Sequence, residues 1–276
     1  MKIYMSYWCG GYQKTPSELV LNMHKLAANY AVKHYGEVTL ITDSKSKELF
    51  ETEDSPFTSI TTDLDVFDGL KNKNWAIGKL YAYNMLAKRK EPFLHIDYDV
   101  FLLNPIRADY EESKVLVQST ETNVLKKYGL KQFYDNIGEN TAGFTEPQEE
   151  DEAYNMGIFG GIEYDFIEEY SQNSIDFCLN PKNEKTLDIM YKHQTWAPAC
   201  ISEQYYLWAF AKKCGIEVSQ YLSPGCDRTI EGQMLMEIEA GKKGYVHLQG
   251  AKKHKGVDVR IKELLAEFSN KEKVNV

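Results

Sequence analysis

The chain has 276 residues, 43% of them apolar, which is material for the core of one α/β domain. A formal net charge of -9 argues against a protein that grips bulk nucleic acid through a basic face, and suits an enzyme that handles an anionic ligand at one local site. The five cysteines, Cys9, Cys178, Cys200, Cys214 and Cys226, are odd in number, far apart and without a CxxC, so separate reduced thiols are expected rather than a disulfide framework or a zinc site.

The opening stretch MKIYMSYWCGGYQKT lacks a long apolar segment, and no run of about 18 apolar residues occurs, so neither a secretory signal nor a membrane span is expected. The expected location is the cytoplasm, or a peripheral position on the inner membrane face. Residues 2–8 alternate and read as a first strand ending at Cys9-Gly10-Gly11. A helix follows, with Thr15 as N-cap, Pro16 at N1, Glu18 completing a capping box, and Gly36 ending it. EVTLITD is a second strand closing on Asp43, and PFTSITTD a third. This β-α-β opening predicts a parallel sheet with right-handed crossovers. NWAIGKLYAYNMLAK is a helix capped by Asn74, and Pro92 separates it from the strand FLHI. KVLVQST and YNMGIFGG are further strands. A helix is expected to start at Ser202 and stop at Gly215. IEVSQYLSP and GYVHLQG are late strands, and VDVRIKELLAEF is a C-terminal helix with Ile261, Leu264, Leu265 and Phe268 on one stripe. Residues 121–153, rich in glycine and acid, read as a loop-rich insertion or lid within a single domain spanning 1–276.

Residues 93–105, FLHIDYDVFLLNP, put Asp97 and Asp99 inside an apolar run. On an extended strand the two would project from one face, repel each other and lose hydration. A divalent cation removes both penalties, and hard cations such as Mn²⁺ and Mg²⁺ take carboxylate ligands together with substrate phosphates. The acids also sit where an apolar strand ends, which is where ligands bind in open α/β sheets. The DLD at 63–65 lacks such a strand and reads as a solvated turn.

HIDYDVFLLNP resembles the DXD motif of nucleotide-sugar glycosyltransferases with the GT-A fold, and is most similar to the retaining family of glycogenin and the lipopolysaccharide galactosyl- and glucosyltransferases. That resemblance implies a Rossmann-like α/β domain, with a mixed, mostly parallel sheet flanked by helices. It implies Mn²⁺ or Mg²⁺ held by Asp97, Asp99 and His247, the last from YVHLQGAKKHKG. There His247, Gly250 and Lys253 match a His-x-x-Gly-x-x-Lys element, with Gly250 letting backbone approach a phosphate and Lys253 supplying charge to the diphosphate. Lys252 and Lys255 are neighbours able to share that task. In YNMGIFGG, Asn155 and Gly157 match an Asn-x-Gly element that lines the sugar cleft, and Gly160 and Gly161 would leave room for a ring.

In SEQYYL the family's Asp-Gln-Asp becomes Glu203-Gln204-Tyr205, so Glu203 would bind donor-sugar hydroxyls and Gln204 would lie on the β-face of the anomeric carbon. Tyr4, Ser6 and Tyr7 stand where the family holds the base, Asp43 could accept from a uracil N–H, and Lys79 and Trp75 resemble the family's basic and aromatic positions. The implied catalytic set is Asp97, Glu203 and Gln204. The implied partners are a UDP-sugar donor and a hydroxyl acceptor on a glycan, a protein or another molecule. The implied chemistry is hexosyl transfer with retention; an inverting reaction would need a base, for which Glu203 and Asp188 are candidates. A nucleotidyltransferase making nucleotide sugars and a non-catalytic carbohydrate-binding protein, using the 13% aromatic residues as platforms, are the alternatives.

Overall fold

The computed structural model describes residues 1–12, 15–70, 74–127, 129, 151–223 and 244–274. Nine strands are found among them: β1 Lys2–Ser6, β2 Val38–Ile41, β3 Ser59–Thr61, β4 Phe93–Ile96, β5 Val100–Leu102, β6 Val115–Thr122, β7 Glu152–Gly161, β8 Val218–Gln220 and β9 Tyr245–His247. Seven form one sheet in the order β3-β2-β1-β4-β7-β6-β8, and β5 pairs with β9 apart from it. The pairings β1·β2, β1·β4, β2·β3 and β6·β8 are parallel, while β7 runs antiparallel between β4 and β6. This is the mixed, mostly parallel sheet flanked by helices that the sequence predicts.

Side chains of β4 alternate between two cores, as a strand buried on both faces must. Phe93 faces the layer of helices Ala76–Lys88, Tyr164–Leu179 and Tyr206–Cys214, where it joins Tyr83, Phe159 and Tyr170. Leu94 and Ile96 face the layer of helices Glu18–Tyr35 and Val257–Val274, where they join Leu26, Leu40 and Ile261. The C-terminal stripe packs as its spacing requires: Ile261 is buried, and the Phe268 ring meets Tyr30 edge-on at 4.8 Å. No helix among the described residues is long and apolar enough to cross a membrane.

Several local expectations are corrected. The first long helix is capped by Ser17, whose Oγ accepts the Val20 N–H at 3.4 Å, rather than by Thr15, and Glu18 is its first helical residue; Gly36 ends it at φ 80° as expected. The helix expected to start at Ser202 begins at Ala197 and passes through a π-helical segment, Cys200–Tyr205, into Tyr206–Cys214. Ser202 is therefore internal: its hydroxyl donates to the Pro198 carbonyl one turn back and accepts from Asn74. Asn74 Oδ1 in turn takes the Ala76 N–H at 3.2 Å, but the N-cap position is Trp75, one residue later than expected. Gly160 and Gly161 do not make room for a ring. A Cβ on them would stand 2.1 Å from the Phe93 carbonyl oxygen and 2.2 Å from that of Lys114, so their absent side chains let neighbouring backbone close in. Most of the expected insertion at 121–153 lies outside the described residues, and its ends belong to β6 and β7.

Candidate functional site

Strand β4 ends at Ile96, and the chain turns through residues 97–99 before β5 begins at Val100. The Val100 N–H donates to the Asp97 carbonyl at 3.0 Å, closing the turn. The expected alternation along an extended strand is thus replaced by a turn, which brings the two acids together all the same. Strand β9 completes the group. Its antiparallel register on β5 pairs His247 with Val100, and the Leu248 N–H donates to the Asp99 carbonyl at 3.0 Å. One ligand atom from each of Asp97, Asp99 and His247 lies within 4.8 Å of the others.

An irregularity in β7 supports this cluster. Between Val117 and Ser119 of β6 the register with β7 slips, so Met156 and Gly157 fall out of the ladder. Such bulges re-aim groups beside functional sites. The two carbonyls freed here are used by the site: Met156 O accepts from Lys79 Nζ at 3.0 Å, and Gly157 O accepts the Asp97 N–H at 2.9 Å.

Each carboxylate also meets an ammonium of the chain itself. Lys79 Nζ lies 2.6 Å from Asp97 Oδ1 and 2.7 Å from Glu203 Oε1, and Lys252 Nζ lies 2.7 Å from Asp99 Oδ2. Burial alone would raise the Asp99 carboxyl, but Lys252 and His247 overcome it and hold the group below the usual carboxylate range. Burial would lower Lys79, yet Asp97 and Glu203 push it up to about 12. One lysine cannot fully compensate two acids. Glu203, fully buried, is pushed up by its burial and by Asp97, and its Oε2 has no hydrogen-bond partner among the described residues.

A cavity of about 550 Å³ opens over the cluster. Of the expected binding residues, Ser6, Tyr7, Lys79, Asn155, Gly157, Gly250 and Lys253 line it, as does Gln204. Ser6 Oγ is 2.9 Å from His95 Nε2, and Asn155 is held between its Nδ2 bond to Glu121 and the Gly157 N–H it accepts. Three expected residues stand away from the wall. Tyr4 is in the core, with its hydroxyl 3.4 Å from an Arg89 nitrogen. Asp43 is the N-cap of helix Ser44–Phe50, and its oxygens take the backbone N–H groups of Cys9 and Ser46 rather than facing the cavity. Glu203 lies behind the wall on Lys79 and Tyr83, so it reaches the site through Lys79 and not by touching a ligand. Asp188 is not on the wall either.

Sequence reasoning missed Trp8, Glu121 and Trp196 on the wall, and Gln118 beneath His247. Gln118 carries a legible signal, an amide in the middle of the apolar strand VLVQS, and Trp196 carries none.

The donor set suits a hard divalent cation. Two carboxylates and one imidazole offer oxygen and nitrogen at one point, the mixture that Mn²⁺ accepts and Mg²⁺ tolerates. The paired ammonium groups do not spoil the fit, because Asp97 and Asp99 each have a second oxygen and only one oxygen of each is engaged by a lysine.

No curated protein matches the chain in sequence. Among solved structures, mouse xyloside xylosyltransferase 1 in its apo form aligns over 89% of this chain and 96% of its own at 8% identity and a TM-score of 0.48. The galactosyltransferase LgtC, solved with donor and acceptor sugar analogs, aligns over 72% of this chain and 70% of its own at 12% identity and a TM-score of 0.38. A family model matches residues 1–271, nearly end to end, and the chain accordingly belongs to the family described as a family of unknown function, DUF6734.

Proposed function

We propose that the protein is a glycosyltransferase that moves a hexosyl group from a nucleotide-diphosphate donor, a UDP-sugar, to an acceptor hydroxyl, with a Mn²⁺ or Mg²⁺ ion held by Asp97, Asp99 and His247. The observation that carries this reading is the convergence of those three side chains, drawn from residues 150 positions apart, at the floor of one cavity.

The reaction breaks the bond between the anomeric carbon and a phosphate oxygen, and the leaving diphosphate gains negative charge. A bound divalent cation supplies Lewis-acid neutralisation of that charge. Lys253, with Gly250 beside it on the wall, supplies a fixed positive charge at the same end. Ser6 and Tyr7 bind the nucleoside. Lys79 neutralises Asp97 from behind and holds its orientation, and Glu203 anchors Lys79. Gln204 presents its amide to the sugar, where an amide oxygen favours an oxocarbenium-like centre.

Retention fits this wall. The acceptor hydroxyl attacks from the leaving-group side and gives its proton to a phosphate oxygen, which needs no side-chain base, and neither Glu203 nor Asp188 reaches the cavity. Glu121 does reach it, and this favours a second reading in which Glu121 is the base of an inverting transfer.

A thermal-shift panel of UDP-, GDP- and CDP-sugars with and without Mn²⁺ tests the assignment. The expected result is stabilisation by a UDP-sugar only with metal, together with metal-dependent donor hydrolysis that Asp99→Asn abolishes. Full turnover by that variant in Mn²⁺ sinks the reading. The anomeric configuration of the product separates retention from inversion.

A further inference from the structure

His247 has two ring nitrogens, and only the one facing Asp99 can serve an ion there. Nε2 is that nitrogen, 3.4 Å from Asp99 Oδ1. To offer a lone pair, Nε2 must be unprotonated, so Nδ1 must carry the hydrogen of the neutral ring. Nδ1 lies 2.6 Å from Gln118 Oε1, and the Tyr245 hydroxyl donates to the same oxygen at 2.5 Å. Gln249 Nε2 is farther from Nδ1, at 3.5 Å. Gln118 and Tyr245 are fully buried and His247 nearly so, so both contacts to Oε1 are made away from bulk water.

The surrounding backbone is built around this contact. Gln118 sits at the β6·β7 register slip. A Cβ on Gly157 would stand 2.4 Å from Gln118 Oε1 and 2.5 Å from His247 Nδ1. A side chain at 157 would therefore push the pair apart, and glycine keeps it closed. Gln118 Nε2 meanwhile has no hydrogen-bond partner among the described residues, so the amide is retained at a cost that its oxygen must repay.

We infer that Gln118 is a positioning residue, whose Oε1 fixes His247 as the Nδ1–H tautomer and so aims the Nε2 lone pair at the ion site. This rests on the proposed metal site, and its test is chosen to fail separately from it. Long-range ¹H–¹⁵N correlation spectra of the metal-free full-length protein, ¹⁵N-labelled at its six histidines, report which His247 nitrogen carries the proton. His247→Gln assigns the signal. The expected result in the unmodified protein at pH 8 is a proton on Nδ1, retained in Gln118→Glu and lost or shared between nitrogens in Gln118→Leu. Mn²⁺ titrations followed by electron paramagnetic resonance should show affinity about tenfold or more weaker in Gln118→Leu, and equal or tighter in Gln118→Glu. A proton on Nε2 in the unmodified protein overturns the inference, as does equal Mn²⁺ affinity in Gln118→Leu. If the unmodified protein binds no Mn²⁺, the metal reading fails and the tautomer measurement still decides the role of Gln118.

Discussion

Lys252 Nζ sits 2.7 Å from Asp99 Oδ2 and also donates to the Tyr98 hydroxyl at 2.9 Å, so the carboxylate best placed to hold an ion already holds an ammonium. Two cations at one carboxylate repel. Replacing Lys252 with Met keeps an unbranched stem but removes the resident charge, whose Nζ lies 4.7 Å from the Tyr98 ring centroid. Mn²⁺ affinity of Lys252→Met, measured by calorimetry without nucleotide, should rise on the order of tenfold, which corresponds to about 1.4 kcal/mol of relieved repulsion. Unchanged or weaker binding would show that Lys252 does not compete for the site.

The buried triad of Asp97, Lys79 and Glu203 makes a second prediction. Removing the shared cation strands two acids, so Lys79→Met should cost about 3–5 kcal/mol of folding stability in urea unfolding. Glu203→Gln leaves Lys79 paired with Asp97 and removes an excess buried charge, so its cost should be about 1 kcal/mol or less. Because the two side chains touch, the double variant should recover part of the lysine's cost, with a coupling of about 1–3 kcal/mol. Costs that simply add would mean that the 2.7 Å contact is not an energetic one.

These two clusters mark where sequence reading stopped. The apolar run of β4 and the acids at its end were legible, because a carboxylate in such a run is costly and stands out against its neighbours. His247 was legible only through resemblance, because His247, Gly250 and Lys253 match the family's His-x-x-Gly-x-x-Lys element. The pairing of Lys252 with Asp99 was not, since it joins residues 153 positions apart and a lysine in a basic run looks like any other. The resemblance to Asp-Gln-Asp makes Glu203 a ligand-binding acid, but successive residues of a helix point in different directions, and here Gln204 lines the cavity while Glu203 is buried behind it; nothing in SEQYYL says which of the two faces the cavity. Sequence alone does not separate a strand from a turn at 97–99: both conformations bring the acids to one side, and only backbone bonding tells them apart.

His24 carries the last prediction, on pH. Its ring is fully buried, stacked on Tyr98 at 4.8 Å and 9°, with Phe50 at 4.9 Å and Tyr7 edge-on at 5.5 Å. Nδ1 is 2.8 Å from the Val20 carbonyl oxygen, while Nε2 has no partner among the described residues. Burial pushes the imidazole down from 6.5 to about 4, against the Val20 carbonyl and the more distant Asp99, which favour the charged form, and with Lys252 opposing it. The unfolded chain therefore binds the proton more readily than the folded one between pH 6.5 and 4. Stability from this residue is whole above pH 6.5 and is lost as pH falls towards 4, by about 3 kcal/mol at the limit. Carboxylates titrate in the same range, so the measurement is a difference. Urea unfolding at pH 7.5 and 4.5 should show a smaller acid-induced loss in His24→Gln than in the unmodified protein, by about 2–3 kcal/mol. Equal losses would mean that His24 accepts its proton in the folded state as easily as in the unfolded chain, and that its stack on Tyr98 does not exclude the charge.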